Sequence, residues 1–180
     1  MAEAWVREVL DFWFGLSPGQ WWKSDPVLDE RCQLFLEHWK EQRRLPTELF
    51  LTDADTALAA VILFDQLPRN MFRNHAESFA TDHLALAVAK GAVERGFDQA
   101  FQQPRRGFLY MPFQHSENLD DQNQSMLLFT ALGDADQLAF AKRHYEVIQR
   151  FGRFPHRNAM LGRASRPDEL SADDVDPTHR

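Results

Sequence analysis

Residues able to do chemistry gather in three short stretches. These are Phe64-Asp65-Gln66-Leu67-Pro68-Arg69-Asn70, Pro112-Phe113-Gln114-His115-Ser116-Glu117 and Arg150-Phe151-Gly152-Arg153-Phe154-Pro155-His156-Arg157-Asn158. Each sets Arg, His, Asn or a carboxylate against Pro and Phe at an expected helix end. Polar groups lodged among apolar ones must find partners or bind something, because burying them unpaired is costly. The pattern predicts a polar pocket in a helical, apolar body, with Asp65, His115 and Arg153 sharing one crevice. It does not by itself specify a reaction.

The stretch from Arg150 to Asn158 is the strongest candidate for contact with an anion. Arginine offers a planar fork matched to carboxylate or phosphate, and Asn and backbone N–H groups at a helix start add donors. Arg150, Arg153, Arg157 and Asn158 are the candidate contacts, with Phe151 and Phe154 drying the site and so strengthening them. The competing reading is that Pro155 ends a helix, Asn158 caps the next and the arginines stay solvated.

Asp65 lies on a stretch with no polar face, four residues after Val61 and seven after Leu58. It also falls near an expected helix C-terminus, where the macrodipole disfavours an anion. Burial and dipole both oppose its charge, so a cationic partner or a raised pKa is expected. Arg69, Arg73 or an arginine of the 150–157 segment would supply the partner. A structural ion pair joining two helix ends and a ligand-facing carboxylate are both open. With Gln66, Arg69 and Asn70, it makes a second set of candidate ligand contacts.

His115 stands directly before Ser116, the expected cap of the following helix. With Glu117 it could form a general acid–base pair, with His156 as the alternative acid–base group. His115, Glu117, Asp121 and His156 could also be read as metal ligands. Their spacing is not a zinc-helix signature, so no metal site is expected. Gln122 shares a stripe with Leu119, Met126 and Phe129 and points inward, with Asp121 beside it, so both join the ligand candidates. Asp120 is explained by the helix dipole alone. His144 reads as a satisfied histidine at the core edge and Cys32 as core.

The wider chain limits what such a site could serve. It has 180 residues, 44% of them hydrophobic and 26% charged, enough for one domain with a substantial core. A formal charge of −7 argues against an extended nucleic-acid surface. Four arginines and no carboxylate between Arg150 and Arg163 make a local basic patch that suits a small anion better than a polymer. A single cysteine, no evident signal segment and no apolar run of bilayer length predict a cytoplasmic protein. Gly-rich phosphate loops, nucleophile elbows and paired-cysteine sites are absent from the sequence.

Nearly every segment that positions these residues has helical periodicity. Helices are expected over about 2–14, then from Asp25-Pro26 through Trp39. The next runs from a Thr52 cap through the all-round apolar run 57–64, followed by 82–95, 117–132 and 134–151. Gly96, Gly133 and Gly152 are the terminators. Residues 105–113 fit a helical turn or a buried extended segment. A single domain over 1–165 is expected, followed by a polar, mobile tail over 166–180.

Taken together, the Phe12-Trp13-Phe14 opening, Phe64 to Asn70, Leu109 to Glu117, Asp121-Gln122, and Arg150 to Asn158 with Leu161-Gly162-Arg163 resemble a bacterial family, domain of unknown function 924. The resemblance implies an all-α array of antiparallel helix hairpins with a tetratricopeptide-like superhelical architecture. It brings no activity and no cofactor. Gln114 stands where it leads one to expect an acid. The function expected is binding of a small anionic molecule or an acidic peptide end in an Arg/His/Asn-lined pocket. The alternative is a hydrolase or transferase using His115 or His156, with arginines holding the substrate.

Overall fold

The computed structural model describes residues 3–170, and every regular element among them is helical. The chain forms two compact units, Met1–Pro112 and Phe113–Arg180. No Gly- or Ser-rich linker marks the division, which is why the sequence alone presents a single domain over residues 1–165. Residues 166–170, counted there with the tail, contain a short helix whose Glu169 is buried. Residues 171–180 of that expected tail lie outside the described residues.

The first unit begins with α1 (Ala4–Phe14), α2 (Pro18–Trp22), α3 (Pro26–Cys32) and α4 (Leu36–Gln42). α1 buries Trp5, Val6, Val9, Leu10 and Trp13, one apolar stripe of an amphipathic helix. Asp25 caps α3 by accepting the Val27 N–H at 2.9 Å, with Pro26 in the first turn. The helix expected through Trp39 is interrupted by a 3-10 turn at Gln33–Phe35.

α5 (Ala54–Val61) starts at Asp53 and not at Thr52. The Asp53 carboxylate accepts the Thr56 N–H at 2.9 Å and the Thr56 hydroxyl at 2.8 Å, while the Thr52 hydroxyl donates to that same carboxylate. α5 widens into a π turn over Ile62–Gln66 and continues as α6 (Leu67–Met71). Residues 56–68 are buried without a break, the central all-round apolar helix expected from the sequence. The helix does not end at Asp65, so that residue sits inside it and not at a C-terminus. Pro68 explains the π turn. In a regular α-helix its ring would collide with the carbonyl four residues back, and it has no N–H to donate. α7 (Asp82–Glu94) packs on α5, and α8 (Arg105–Gln114) is helical throughout despite the internal Pro112.

The second unit is built on α9 (Leu119–Leu132) and α10 (Ala135–Phe151), which pack as a hairpin. Gly133, with φ of 76°, makes the turn between them in a region a side chain would strain. Asn118, and not Ser116, caps α9, its side chain accepting the Asp120 N–H at 2.8 Å and the Asp121 N–H at 3.4 Å. Beyond α10 lie a 3-10 turn at Pro155–Arg157 and α11 (Pro167–Leu170).

Candidate functional site

The sequence candidates fall into two groups, one in each unit. Asp65, Gln66, Arg69 and Asn70 belong to the first unit. His115, Glu117, Asp121, Gln122, Arg150, Arg153, His156, Arg157 and Asn158 belong to the second.

In the first unit Asp65 is fully buried, and Arg69 lies one helical turn on, its Nη1 3.4 Å from Asp65 Oδ1. The same Nη1 donates to the Asp65 carbonyl oxygen at 2.5 Å, and the guanidinium forks onto Asp82 at 2.8 and 3.0 Å. Burial acts to lower the Arg69 pKa, but the Asp65 and Asp82 carboxylates outweigh it and push it up. Gln66 Nε2 donates to Asp65 Oδ2. Asn70 Nδ2 donates to Asp29 at 2.8 Å, and Arg73 forks onto the same carboxylate at 2.7 Å through both nitrogens. Burial would raise the Asp29 pKa, yet Arg73 and Asn70 hold it below the ordinary range. The cationic partner expected for Asp65 is Arg69. Asp82 and Asp29, which complete the pairs, were not legible because they lie 13 and 44 residues from their arginines.

In the second unit Arg153, Arg163 and Arg166 pair with carboxylates. Arg153 forks onto Glu169 at 2.7 and 3.0 Å and reaches the Ala164 carbonyl at 2.8 Å. Arg166 joins the same carboxylate at 2.9 Å, and Asn158 Nδ2 adds a further 2.9 Å bond. These donors hold the Glu169 carboxyl well below its usual range, Arg153 contributing most. Arg163 forks onto Glu117 at 2.8 and 2.9 Å, and the Phe154 N–H donates to Glu117 at 2.7 Å. Burial acts to raise the Glu117 pKa, but Arg163 and the Phe154 N–H bring it down. Arg153 is thus committed to Glu169 and the Ala164 carbonyl, and Arg150 is exposed, its guanidinium 4.6 Å over the Phe151 ring. Arg163, Arg166 and Glu169 are the residues the sequence reading missed. The available signal was charge balance: an arginine run without acids must borrow them from elsewhere.

Two imidazoles, those of His144 and His156, meet the Phe154 ring, and the His115 ring lies beside that of His144. His144 on α10 lies 5.8 Å from the His115 ring and 5.6 Å from the Phe154 ring, and His156 lies 5.7 Å from Phe154. Arg157 stacks over the same Phe154 at 4.6 Å and donates to the His115 carbonyl at 3.0 Å. His115 and His156 are half-buried, whereas His144 is 3% exposed. His144 Nδ1 contacts the Phe140 carbonyl at 2.8 Å, and a carbonyl only accepts, so Nδ1 carries the proton and Nε2 is bare in the neutral ring. Burial first, then His115, lowers its pKa to about 3, with Arg157 and His156 adding to the effect.

Beside this corner runs a strip of buried polar side chains. Asp121 accepts the Ser116 hydroxyl at 2.6 Å. Gln122 is fully buried and its Nε2 donates to the carbonyls of Gln114 and Ser116, each at 2.8 Å, near the C-terminal end of α8. The Oε1 atoms of Gln114 and Gln122 and the Oγ of Ser125 are buried with no hydrogen-bond partner. Among the described residues no cluster of three or more His, Cys, Asp or Glu is placed to hold a metal ion. None of the described helices is long and apolar enough to cross a membrane.

Comparison with known proteins agrees with this all-helical architecture. A solved structure of a protein of unknown function from Agrobacterium tumefaciens matches with a TM-score of 0.87 and 36% sequence identity, over 93% of this chain and 95% of that one. No curated protein matches. Residues 9–172 match the family model described as bacterial protein of unknown function (DUF924). Coverage of this extent, reached independently by motif and by fold, makes the chain a member of the DUF924 family.

Proposed function

We propose that this protein binds a small anionic molecule, and that the anion lies at the corner formed by Phe154, His144, His156 and Arg157 with His115 beside His144. One observation carries this reading. Two imidazoles, His144 and His156, and the Arg157 guanidinium converge on the Phe154 ring, with the His115 ring beside that of His144, while the nearby Glu117 carboxylate is already held by Arg163 and the Phe154 N–H. The half-buried edges of His115 and His156 give a ligand access. The anion site is thereby shifted from Arg150 and Arg153, which the sequence favoured, toward His156 and Arg157. A cytoplasmic location suits the buried free thiol of Cys32.

Acid–base catalysis by His115 or His156 with Glu117 receives less support, because both Glu117 oxygens are already engaged. A thermal-shift series tests the binding reading, with phosphate, acetate, citrate and nucleotides each compared with chloride at equal ionic strength. At least one anion raises Tm in the wild type, and the rise shrinks in His156→Gln. If no anion raises Tm above chloride, the proposal is wrong.

A further inference from the structure

We propose that residues 164–170 form a displaceable strap, that its Glu169 fills a carboxylate site built from Arg153 and Asn158, and that an external carboxylate binds there when the strap opens. This second, self-occupied site does not rest on the anion corner at Phe154.

The strap is held by polar contacts and not by an apolar anchor. Residues 164–168 are exposed, Leu170 is 73% exposed, and Glu169 alone is buried. Four residues of α11 are far too few for a helix to persist without docking. Arg153 supplies its fork to Glu169 and a bond to the Ala164 carbonyl. Asn158 Nδ2 supplies a 2.9 Å bond to Glu169 and a longer one, 3.4 Å, to the Ser165 hydroxyl. Arg166, on the strap itself, reaches back to the Phe151 carbonyl. Segments with so little buried apolar surface open locally at low free energy.

The receiving site is built without the strap. Asn158 is 2% exposed, and its Oδ1 accepts Arg163 Nε at 3.1 Å. A guanidinium only donates, so this bond fixes the amide with Nδ2 turned toward Glu169. Arg163 is fixed in turn by both oxygens of Glu117 and by the Phe154 carbonyl. Arg153 follows Gly152, whose φ of 70° turns the chain out of α10. Opening the strap leaves one anchored amide donor beside one guanidinium fork, a pairing suited to a carboxylate. Glu117 and Asp168 are the other carboxylates that act on Arg153. Glu117 stays but is paired with Arg163, and Asp168 departs with the strap. A tethered carboxylate competes at an effective concentration on the order of millimolar, so the strap sets a threshold that an incoming ligand must exceed.

Calorimetric titration with succinate and hydrogen exchange of the full chain test this. Glu169→Gln removes the charge that holds the strap, so amide exchange over 164–170 should quicken while α9 and α10 keep their protection. Succinate should bind Glu169→Gln at least about tenfold more tightly than wild type, the factor recovered when a site closed about nine-tenths of the time is opened. Adding Arg153→Met to Glu169→Gln should abolish that gain. In the wild type, succinate at about 100 mM, well above the effective concentration of the tethered group, should quicken exchange over 164–170 alone, relative to sodium chloride of equal ionic strength. Equal succinate binding by wild type and Glu169→Gln overturns the proposal, as does a strap that keeps its protection in Glu169→Gln. A gain that survives Arg153→Met overturns the assignment of the site. A larger gain for inorganic phosphate than for succinate overturns the carboxylate assignment. If Glu169→Gln fails to fold, the wild-type exchange decides: quickening in succinate supports the strap, and unchanged exchange overturns it. Binding at the Phe154 corner would be common to wild type and Glu169→Gln, so its success or failure is read separately from the gain.

Discussion

The Thr81 hydroxyl donates to the Phe64 carbonyl at 2.7 Å. Phe64 lies four residues before Pro68, at the carbonyl a proline ring displaces from regular helical bonding. Thr81 in turn accepts the Trp39 indole N–H at 3.0 Å, so one buried chain runs from α4 through Thr81 into the π turn. Thr81 is 1% exposed, and no water can replace it. Thr81→Val keeps the shape, removes the donor, and leaves a buried carbonyl and a buried indole N–H short of a partner. Stability should fall by about 2–4 kcal/mol, the cost of stranding two buried polar groups. Chemical denaturation measures it, and a loss too small to detect would mean the π turn satisfies itself.

Arg69 should be worth more to stability than its helix position suggests. It neutralises Asp65, which is wholly buried, and ties α6 to Asp82 at the start of α7. Removing one partner of a buried pair typically costs about 3–5 kcal/mol, because the other charge is left uncompensated. Arg69→Met should approach the lower end, since the Arg69 side chain keeps 23% exposure. Asp65→Asn in that background removes the stranded charge and should recover part of the loss. Additive effects in this double-mutant cycle would disprove the coupling.

His144 gives the second unit a pH-dependent stability. Its folded pKa of about 3 lies below the ordinary 6.5, so the unfolded chain takes up a proton that the folded chain refuses. Its contribution is complete above pH 6.5 and is lost as pH falls toward 3, at no more than about 1.4 kcal/mol per pH unit. Denaturation midpoints between pH 6.5 and 5 record the slope before the carboxylates titrate, and comparison with His144→Gln separates this group from the other histidines. His144→Gln should flatten the slope in that window. A variant with the wild-type slope would place the titrating group elsewhere.

Glu169 anchors the last described helix. It receives Arg153, Arg166 and Asn158 together, and its carboxyl is held well below the usual range, so it stabilises the fold above its ordinary value of 4.5 and ceases to do so as pH drops through its folded pKa. Glu169→Ala should lower Tm distinctly. Glu37→Ala, which removes an exposed i,i+3 pair with Lys40, should barely move it. Equal effects from the two variants would show the Glu169 cluster to be no stronger than a surface pair.

Local chemistry written into the chain was enough to specify helices, several caps and the buried central run of 57–64. Asp25 before Pro26, and glycines 96, 133 and 152 after apolar-periodic segments, act within a few residues of where they stand. The inward placement of Gln122 and the core placement of Cys32 and His144 followed from the same periodicity. Interrupting the helix at Gln33–Phe35, widening it at Ile62–Gln66 and moving caps to Asp53 and Asn118 were decided by neighbours in space or by one-residue competition that spacing does not resolve. Above all, tertiary structure decided which charges were already spent. Glu169 lies 16 residues from Arg153, and Glu117 lies 46 from Arg163. An ion pair depends on distance through space, so a guanidinium that looks available along the sequence can be fully neutralised in the fold. That pairing, which engages Arg153 with Glu169, is why the proposed anion site rests on the residues around Phe154 and not on Arg153.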